Sequence, residues 1–493
     1  MKKYFYILVF AVLMGGLTSC NDWLDVSPKN RIPADKMFES ESGFKDILTG
    51  AYLKLGTANL YAGDMKYGYL DELAGLYCDY PGYNTNSVYN QAIVFDYTNQ
   101  FLSKKDNLYL EMYNVVANLN NLLQNIETHR DVLKTPHYYE CIKGEALGLR
   151  AFIYFDLLRL FGPIYSEHPT DAAIPYKTTY DKEPTPVLPA NQVVEKILED
   201  LKAAEALLKD NDPCDFHTDM DKRTDFLSNR EFRMNLYAVK AMMARVYCYS
   251  GQNDLAVQYA QEVINANKYF TLYKSQTASN YNSIRYGEQI FGLSVNQLNN
   301  TLISNSMDME NTSVQQRYGM TADMFTKVYE GITSDWRQNV VAFNWDESHQ
   351  YAFCLKYNQA PLADNSGADA IPLIRLPEMY YIIAECAANA ETSAEALNTV
   401  RLSRGIPYSD EIHTLGYDDK DATSEENKQQ TRRINEIMKE YRKEYYAEGQ
   451  LFFFLKAHHY TTYYGCGVAN MTSKEYQMPL PDNEKIFGNN TTK

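Results

Sequence analysis

The chain predicts a mostly α-helical fold: tetratricopeptide-like helical pairs wound into a right-handed superhelical scaffold, with long irregular loop insertions and few short strands. Three observations carry this. Apolar residues recur at steps of three and four along most of the 493 residues, the period of a helix with one buried face. A pattern of small residues and a tyrosine repeats at helical-hairpin spacing. Two long segments, Tyr61 to Phe101 and Tyr269 to Ala370, lack that periodicity and are rich in Asn, Ser, Gly and Tyr.

The chain opens with Lys2 and Lys3, continues uncharged from Tyr4 to Leu17, and closes this stretch on Leu17-Thr18-Ser19-Cys20. A basic head, an apolar stretch and small residues at the cut make a secretory signal, shorter than the about 20 apolar residues a spanning helix needs. The ending resembles the bacterial lipobox, in which the cysteine becomes the lipidated first residue of the mature protein. Residues 1–19 are therefore expected to be removed and Cys20 acylated. Two or three acyl chains, at about 0.8 kcal/mol per buried methylene, hold a protein durably on a membrane.

The first periodic run is Asn107 to Ile126. The second spans Glu145 to Leu160, where Ala146, Leu149, Ile153, Leu157 and Leu160 mark one face and Gly162-Pro163 stops the helix. Asn191 to Leu208 follows, opened by Pro189. Leu236–Ser250 and Asp254–Ala266 form a pair in which Ala244, Tyr247, Gly251 and Ala256 take the tetratricopeptide positions. There the small residues let antiparallel helices approach, and the ring fills the groove beside them. Ala384 and Ala396 repeat the spacing of the two alanines, in helices expected over Leu376–Ala390 and Ser393–Arg401, and Ala151 and Tyr154 repeat the Ala-x-x-Tyr step. A last helix is expected over Thr431–Ala457. Strand-like stretches are Gln289–Val295 and Tyr351–Lys356.

A formal charge of −16 and the absence of a basic stripe exclude a nucleic-acid footprint. Besides Cys20 there are Cys78, Cys141, Cys214, Cys248, Cys354, Cys386 and Cys466, with no CxxC spacing; they read as thiols packed like small hydrophobes. His458 and His459 are adjacent and point to different faces of a helix, unlike a zinc pair. Asp215, His217, Asp219, Asp221 and Asp225 cluster, but without the glycine of a calcium loop, so no metal and no cofactor is expected. No nucleophile elbow, phosphate loop or zinc-protease motif is present.

Tyrosine is the outlier, 42 residues against 3 Trp. An apolar ring with a polar tip suits both helix packing and wet recognition surfaces. In the first insertion Tyr80, Tyr83 and Tyr89 flank Pro81-Gly82, with Asn84 between them; in the second stand Tyr318, Trp336, Arg337 and Trp345. These are the candidate ligand-binding residues, and Tyr80, Tyr83 and Trp345 are expected to line one surface. A sugar stacks its CH face on such rings and hydrogen-bonds Asn, Asp or Arg at the rim.

In order along the chain, Cys20-Asn-Asp-Trp23-Leu24-Asp25, Phe44 to Gly50-Ala51-Tyr52, Gly144-Glu145-Ala146 to Phe161-Gly162-Pro163-Ile164, Asp335-Trp336-Arg337, Lys356-Tyr357, Ile374-Arg375-Leu376-Pro377-Glu378, Leu397-Asn398-x-x-Arg401 and Pro479-Leu-Pro481 with Glu484 resemble the SusD/RagB family of surface nutrient-binding lipoproteins of Bacteroidetes. The resemblance implies one domain over residues 20–493, with halves meeting near residue 230. It also implies an outer-membrane anchor facing the medium and a TonB-dependent transporter barrel as partner; no catalysis is expected because the motifs for it are missing, an enzyme being supported only by unassigned carboxylates. Asp22 and Asp25 after the cysteine resemble the export signals of this group. The ligand it implies first is a glycan and second a peptide; a helical-repeat scaffold of the envelope is the remaining alternative. Glu440, Arg442, Glu444 and Glu448-Gly449 keep the family's late-helix pattern, but Leu451, Phe454 and Ala457 stand where Arg, Asp and Arg are usual. A polar network is expected to be replaced there by packing.

Overall fold

The computed structural model describes residues 34–78, 80, 92–216, 224–274, 282–298, 318–338, 342–357, 367 and 369–488. Helices dominate: α1 (Glu41–Leu55), α2 (Tyr69–Leu73), α3 (Asn99–Ile126), α4 (Tyr138–Phe161), α5 (Ala190–Leu208), α6 (Leu236–Tyr249), α7 (Asn253–Ile264), α8 (Ala322–Tyr329), α9 (Leu376–Cys386), α10 (Ala390–Ser403), α11 (Arg432–Glu444), α12 (Leu451–Ala457) and α13 (Asp482–Phe487). The expected hairpins are present as α4 with α5, α6 with α7 and α9 with α10, each pair packed on the next.

Small residues set how closely these helices approach. A Cβ on Gly144 would come within 2.8 Å of the Leu208 side chain, and one on Gly148 within 2.5 Å of Met234, so α4 can lie against α5 and the start of α6 only with glycine at both places. Ala244, Ala256 and Ala260 are fully buried between α6 and α7. Tyr247 stacks on Tyr259 at 5.7 Å beside them, the ring position the repeat pattern assigns. The turn between the helices uses Gly251 at φ +74°, the left-handed conformation that ends helices with least strain on glycine.

Several helices begin earlier than the sequence reading places them, α3 at Asn99 and α4 at Tyr138, and three further differences have a local cause. The helix beginning at Leu376 stops at Cys386, because Asn389 accepts a hydrogen bond from the Thr392 N–H at 2.8 Å and starts α10. The single helix expected over Thr431–Ala457 is two, α11 and α12, separated by Ala447 and Gly449 at φ +64° and +68°. Gly449 donates its N–H to Asp71 at 2.9 Å, and a Cβ there would meet the Met65 carbonyl at 2.3 Å, so the break admits the chain leading into α2. The third is α8, inside the second insertion, capped by Thr321 and buried through Met324, Phe325, Val328 and Tyr329.

Three small antiparallel sheets complete the described residues. Strands β1 (Ala172–Pro175) and β2 (Val187–Pro189) form a ribbon. β3 (Gln289–Ser294) pairs with β7 (Ala370–Arg375), bringing the ends of the second insertion together. β4 (Gly319–Thr321), β6 (Tyr351–Cys354) and β5 (Phe343–Asp346) form the third, with β6 in the middle.

The C-terminal half is organised around buried charge. Glu444, at the end of α11, is fully buried and accepts from Arg375 at 2.6 Å, Arg404 at 2.9 Å and Arg337 at 3.2 Å. Glu288, before β3, accepts from Arg404 at 2.8 Å and Arg375 at 3.3 Å. Glu440 holds Arg337 at 2.9 Å and Arg401 at 2.7 Å, and Glu448 holds Arg375 at 2.6 Å and pairs with Lys356. Leu451 and Phe454 are buried in the apolar core, as expected, and Ala457 is partly exposed. The expected replacement of a polar network is confined to that helix, however: one turn earlier the glutamates of α11 hold an extensive one.

Burial by itself would raise the Glu448 carboxyl, but Arg375, Lys356 and Lys66 outweigh it and bring it down to about 2 from an ordinary 4.5; Glu444 is likewise held well below its ordinary value against burial, chiefly by Arg404, Arg285 and Arg375. A folded pKa below the unfolded one contributes stability that is full above the unfolded value and lost as pH falls through the folded one. Denaturant midpoints are thus expected to hold down to about pH 4.5 and to fall between there and about pH 2. Arg375→Met, which leaves Glu444 and Glu448 short of a partner, is expected to cost about 3–5 kcal/mol in equilibrium unfolding.

Candidate ligand-binding face

The third sheet gathers residues from both insertions. The chain entering the first insertion runs beside β4: Cys78 donates its N–H to the Gly319 carbonyl at 3.0 Å, and Tyr351 donates its hydroxyl to the Cys78 carbonyl at 2.8 Å. Tyr80 is thereby laid on the sheet, edge-on to Tyr351 at 5.1 Å and beside Phe353 at 5.3 Å. Its hydroxyl donates to Asp346 and lies 3.0 Å from His349 Nδ1. Ser348 closes the loop by donating its hydroxyl to Asp346 at 2.6 Å and its N–H at 3.0 Å. The Ser348 hydroxyl first, and then Tyr80, hold the Asp346 carboxyl well below the usual carboxylate range.

Ser348, His349 and Asp346 do not form a catalytic relay. The hydroxyl and the carboxylate both meet Nδ1 of the imidazole, at 2.9 and 2.7 Å, whereas a relay needs them on opposite ring nitrogens. The arrangement locks a turn and fixes an anionic rim. Among the described residues no group of three or more His, Cys, Asp or Glu converges as a metal site.

Strand alternation separates two of the candidate rings. Trp345 and Phe343 point to α8, meeting Phe325 at 4.9 and 5.1 Å, while Asp346, next in β5, points to Tyr80 on the other face. Tyr80 and Trp345 do not form one ring surface; they lie on the two sides of one sheet. Tyr80 is buried and Trp345 half-buried.

Beyond α8 lies a polar cleft of about 470 Å³, walled by Lys327, Glu426, Arg432, Glu436, Lys439 and Tyr464. Tyr464, half-buried, donates its hydroxyl to Asp323 at 2.7 Å, and Lys327 Nζ sits 4.2 Å from the centre of its ring. Gly467 donates its N–H to the Ile93 carbonyl at 3.0 Å. The first insertion is thus anchored at one end on the third sheet and at the other beside the Tyr464 loop.

Other sequence candidates sit elsewhere. Tyr318 is buried against Tyr77 at 4.6 Å and Tyr67 at 6.2 Å; its hydroxyl bonds Glu72, whose carboxyl burial drives up to about 8. Trp336 is wedged between Arg285 and Arg404, each 5.1 Å from its ring, and donates its indole N–H to the Ser403 carbonyl at 2.9 Å. Arg337 is fully buried in the ion cluster. These three carry packing and charge inside the fold. Tyr83, Asn84, Tyr89 and Cys20 lie outside the described residues.

With the architecture and this face defined, known proteins can be compared. Residues 210–492, more than half of the chain, match the model of the SusD family. The chain belongs to the SusD family. Residues 22–248 match a second model, described as starch-binding and associating with the outer membrane. Two SusD-like proteins of Formosa agariphila are 23% and 25% identical over 55% of this chain, covering 47% and 48% of their own lengths; the chain spans about half the length of these curated relatives. A SusD-like carbohydrate-binding protein from Bacteroides vulgatus superposes with a TM-score of 0.68 at 19% identity, over 92% of this chain and 97% of that one. A SusD superfamily protein from Bacteroides thetaiotaomicron gives 0.63 at 19%, over 89% and 94%. At such identities these structures establish the SusD fold alone.

Sequence reasoning did not single out Tyr464, Lys327 or His349 in this SusD-family chain. No local pattern marks them, because the face is assembled from segments more than a hundred residues apart. Tyr80→Phe, which strips a buried hydrogen bond from a carboxylate, is expected to cost about 1.5–3 kcal/mol in urea unfolding and to raise the Asp346 pKa in a carboxyl NMR titration.

Proposed function

We propose that this chain is a non-catalytic, surface-exposed lipoprotein that captures an oligosaccharide or polysaccharide and delivers it to a TonB-dependent transporter of the outer membrane. SusD-family membership supports the class, and the lipobox-like ending at Cys20 supports an anchor. The observation that carries the glycan reading is the face just described. The Tyr464 ring and a rim of carboxylates and lysines wall a cleft on one side of α8, near one anchored end of the Tyr- and Asn-rich first insertion, and the half-buried Trp345 lies across α8 against Phe325. Flat rings stack on sugar CH faces, and charged groups accept or donate to hydroxyls with strengthened hydrogen bonds.

Losing the two rings in Trp345→Ala/Tyr464→Ala is expected to weaken oligosaccharide binding by about ten-fold to a hundred-fold in calorimetry, at roughly 0.5–1.5 kcal/mol of stacking per ring beyond area burial. The melting transition should stay cooperative; unchanged affinity removes these rings from the site. Cys20→Ala is expected to move the protein from the membrane to the soluble fraction, and retention in the membrane would overturn the anchor. Incubated with polysaccharide and peptide panels, the purified protein should leave every substrate intact.

A further inference from the structure

Away from that face, the ribbon β1–β2 and the chain's last described segment enclose a long groove. On one side of Pro479–Pro481 a cleft of about 740 Å³ is bordered by Val94, Phe95, Tyr97, Ala173 and Gln477. On the other side one of about 590 Å³ is bordered by Leu110, Tyr113, Pro175, Pro184 and Asn483. The two adjoin along β1, Ala172 and Ala173 bordering the first and Pro175 the second, with Pro479–Pro481 between them.

Its floor is built of rings and prolines. Tyr109 and Tyr113 pair at 4.6 Å, and Tyr113 is fixed by donating its hydroxyl to the Pro175 carbonyl at 2.7 Å. Tyr97 is fixed by donating to the Glu475 carbonyl at 2.7 Å. Both rings are half-buried, set by bonds at their polar tips and accessible on the remaining surface. Large apolar side chains are also left open to water here: Val94 at 44% exposure in one cleft and Leu110 at 59% in the other. Exposed apolar groups gathered in a concavity mark a binding surface more than scattered ones do.

Polar groups converge from three unrelated segments: Asp106 on α3, Lys177 and Asp181 after β1, and Asn483 and Glu484 on α13. Lys177 pairs with Asp181 at 2.5 Å and Asp106 with Lys105, and against Lys182 stand Glu183, Asp482 and Glu484, which leaves the rim net negative. That charge disfavours uronate, sulfate or phosphate ligands. Carboxylates accept strong hydrogen bonds from neutral hydroxyls, and rings with prolines offer flat apolar contact. We propose that this groove is a second binding site, for an extended neutral oligosaccharide, separate from the face beside Tyr464. The inference rests on the glycan reading above and extends it from capture at one face to holding a polymer at two.

The test uses the double variant Val94→Asp/Leu110→Asp, whose positions are exposed and which should therefore melt within a few degrees of wild type. Wild type, this variant and Trp345→Ala/Tyr464→Ala are assayed on an array of neutral hexasaccharides of glucose, mannose, galactose and xylose, then by calorimetry with the tightest binder. The proposal expects two saccharide molecules per wild-type chain and one per chain for each variant, with the groove variant's lost site weakened by about ten-fold or more. A groove variant that keeps wild-type stoichiometry and affinity overturns the groove and leaves the glycan reading intact. Wild-type protein that binds no neutral saccharide overturns both. Binding of a lysine-rich peptide that the groove variant abolishes, with saccharide binding unchanged, overturns the assignment of ligand class.

Discussion

The fold of the C-terminal half depends on one buried carboxylate. Glu444 gathers guanidinium groups from four separate segments: Arg285 ahead of β3, Arg337 ahead of β5, Arg375 at the junction of β7 and α9, and Arg404 at the end of α10. Taking such ions out of water costs several kcal/mol each, and their attraction offsets that only when geometry and further hydrogen bonds are complete. Here three of the four guanidinium groups have a second carboxylate, Asp335 or Glu440 for Arg337, Glu448 for Arg375 and Glu288 for Arg404. The cluster therefore does less to add stability than to forbid other arrangements, since any shift of one segment strands a charge.

That constraint reaches the candidate face directly. Arg337 fixes the chain shortly before β5, and Lys356, just after β6, is held by Glu448 and by the Tyr446 carbonyl at 2.9 Å. The sheet that carries Tyr80 and Trp345 on its two sides is thus pinned where both strands meet the core. Helix α11 works in the same way: Glu440 and Glu444 point into the cluster, while Lys439 and Glu436 wall the polar cleft. A rigid interior and a face assembled from loops are two sides of the same elements, as recognition loops on a fixed scaffold require.

Much of the scaffold was legible in the sequence. The period of the apolar residues located α3, α4, α5, α6 and α7, and the spacing of Ala244, Tyr247 and Ala256 identified a hairpin whose ring stack the structure contains. Strands β3 and β6 were also visible as β-branched and aromatic stretches. The break between α11 and α12 was not, because it answers to Met65 and Asp71, hundreds of residues away. Arg337 and Trp336 read as surface candidates because a local Asp-Trp-Arg cannot reveal that two glutamates and two arginines converge on it. Tyr80 and Trp345 were expected on one ligand surface, and the alternation that puts them on opposite faces of a sheet depends on a strand register that the sequence does not specify.

Capture of carbohydrate on the loop face would leave the helical scaffold fixed. Amide hydrogen exchange, with and without a saturating neutral oligosaccharide, tests it most directly. The account predicts added protection in Tyr77–Tyr80, β5, β6 and the Thr462–Gly467 loop, with none in α6 and α7. Protection spread over the helical pairs, or bound saccharide with no change in those loop segments, would contradict it.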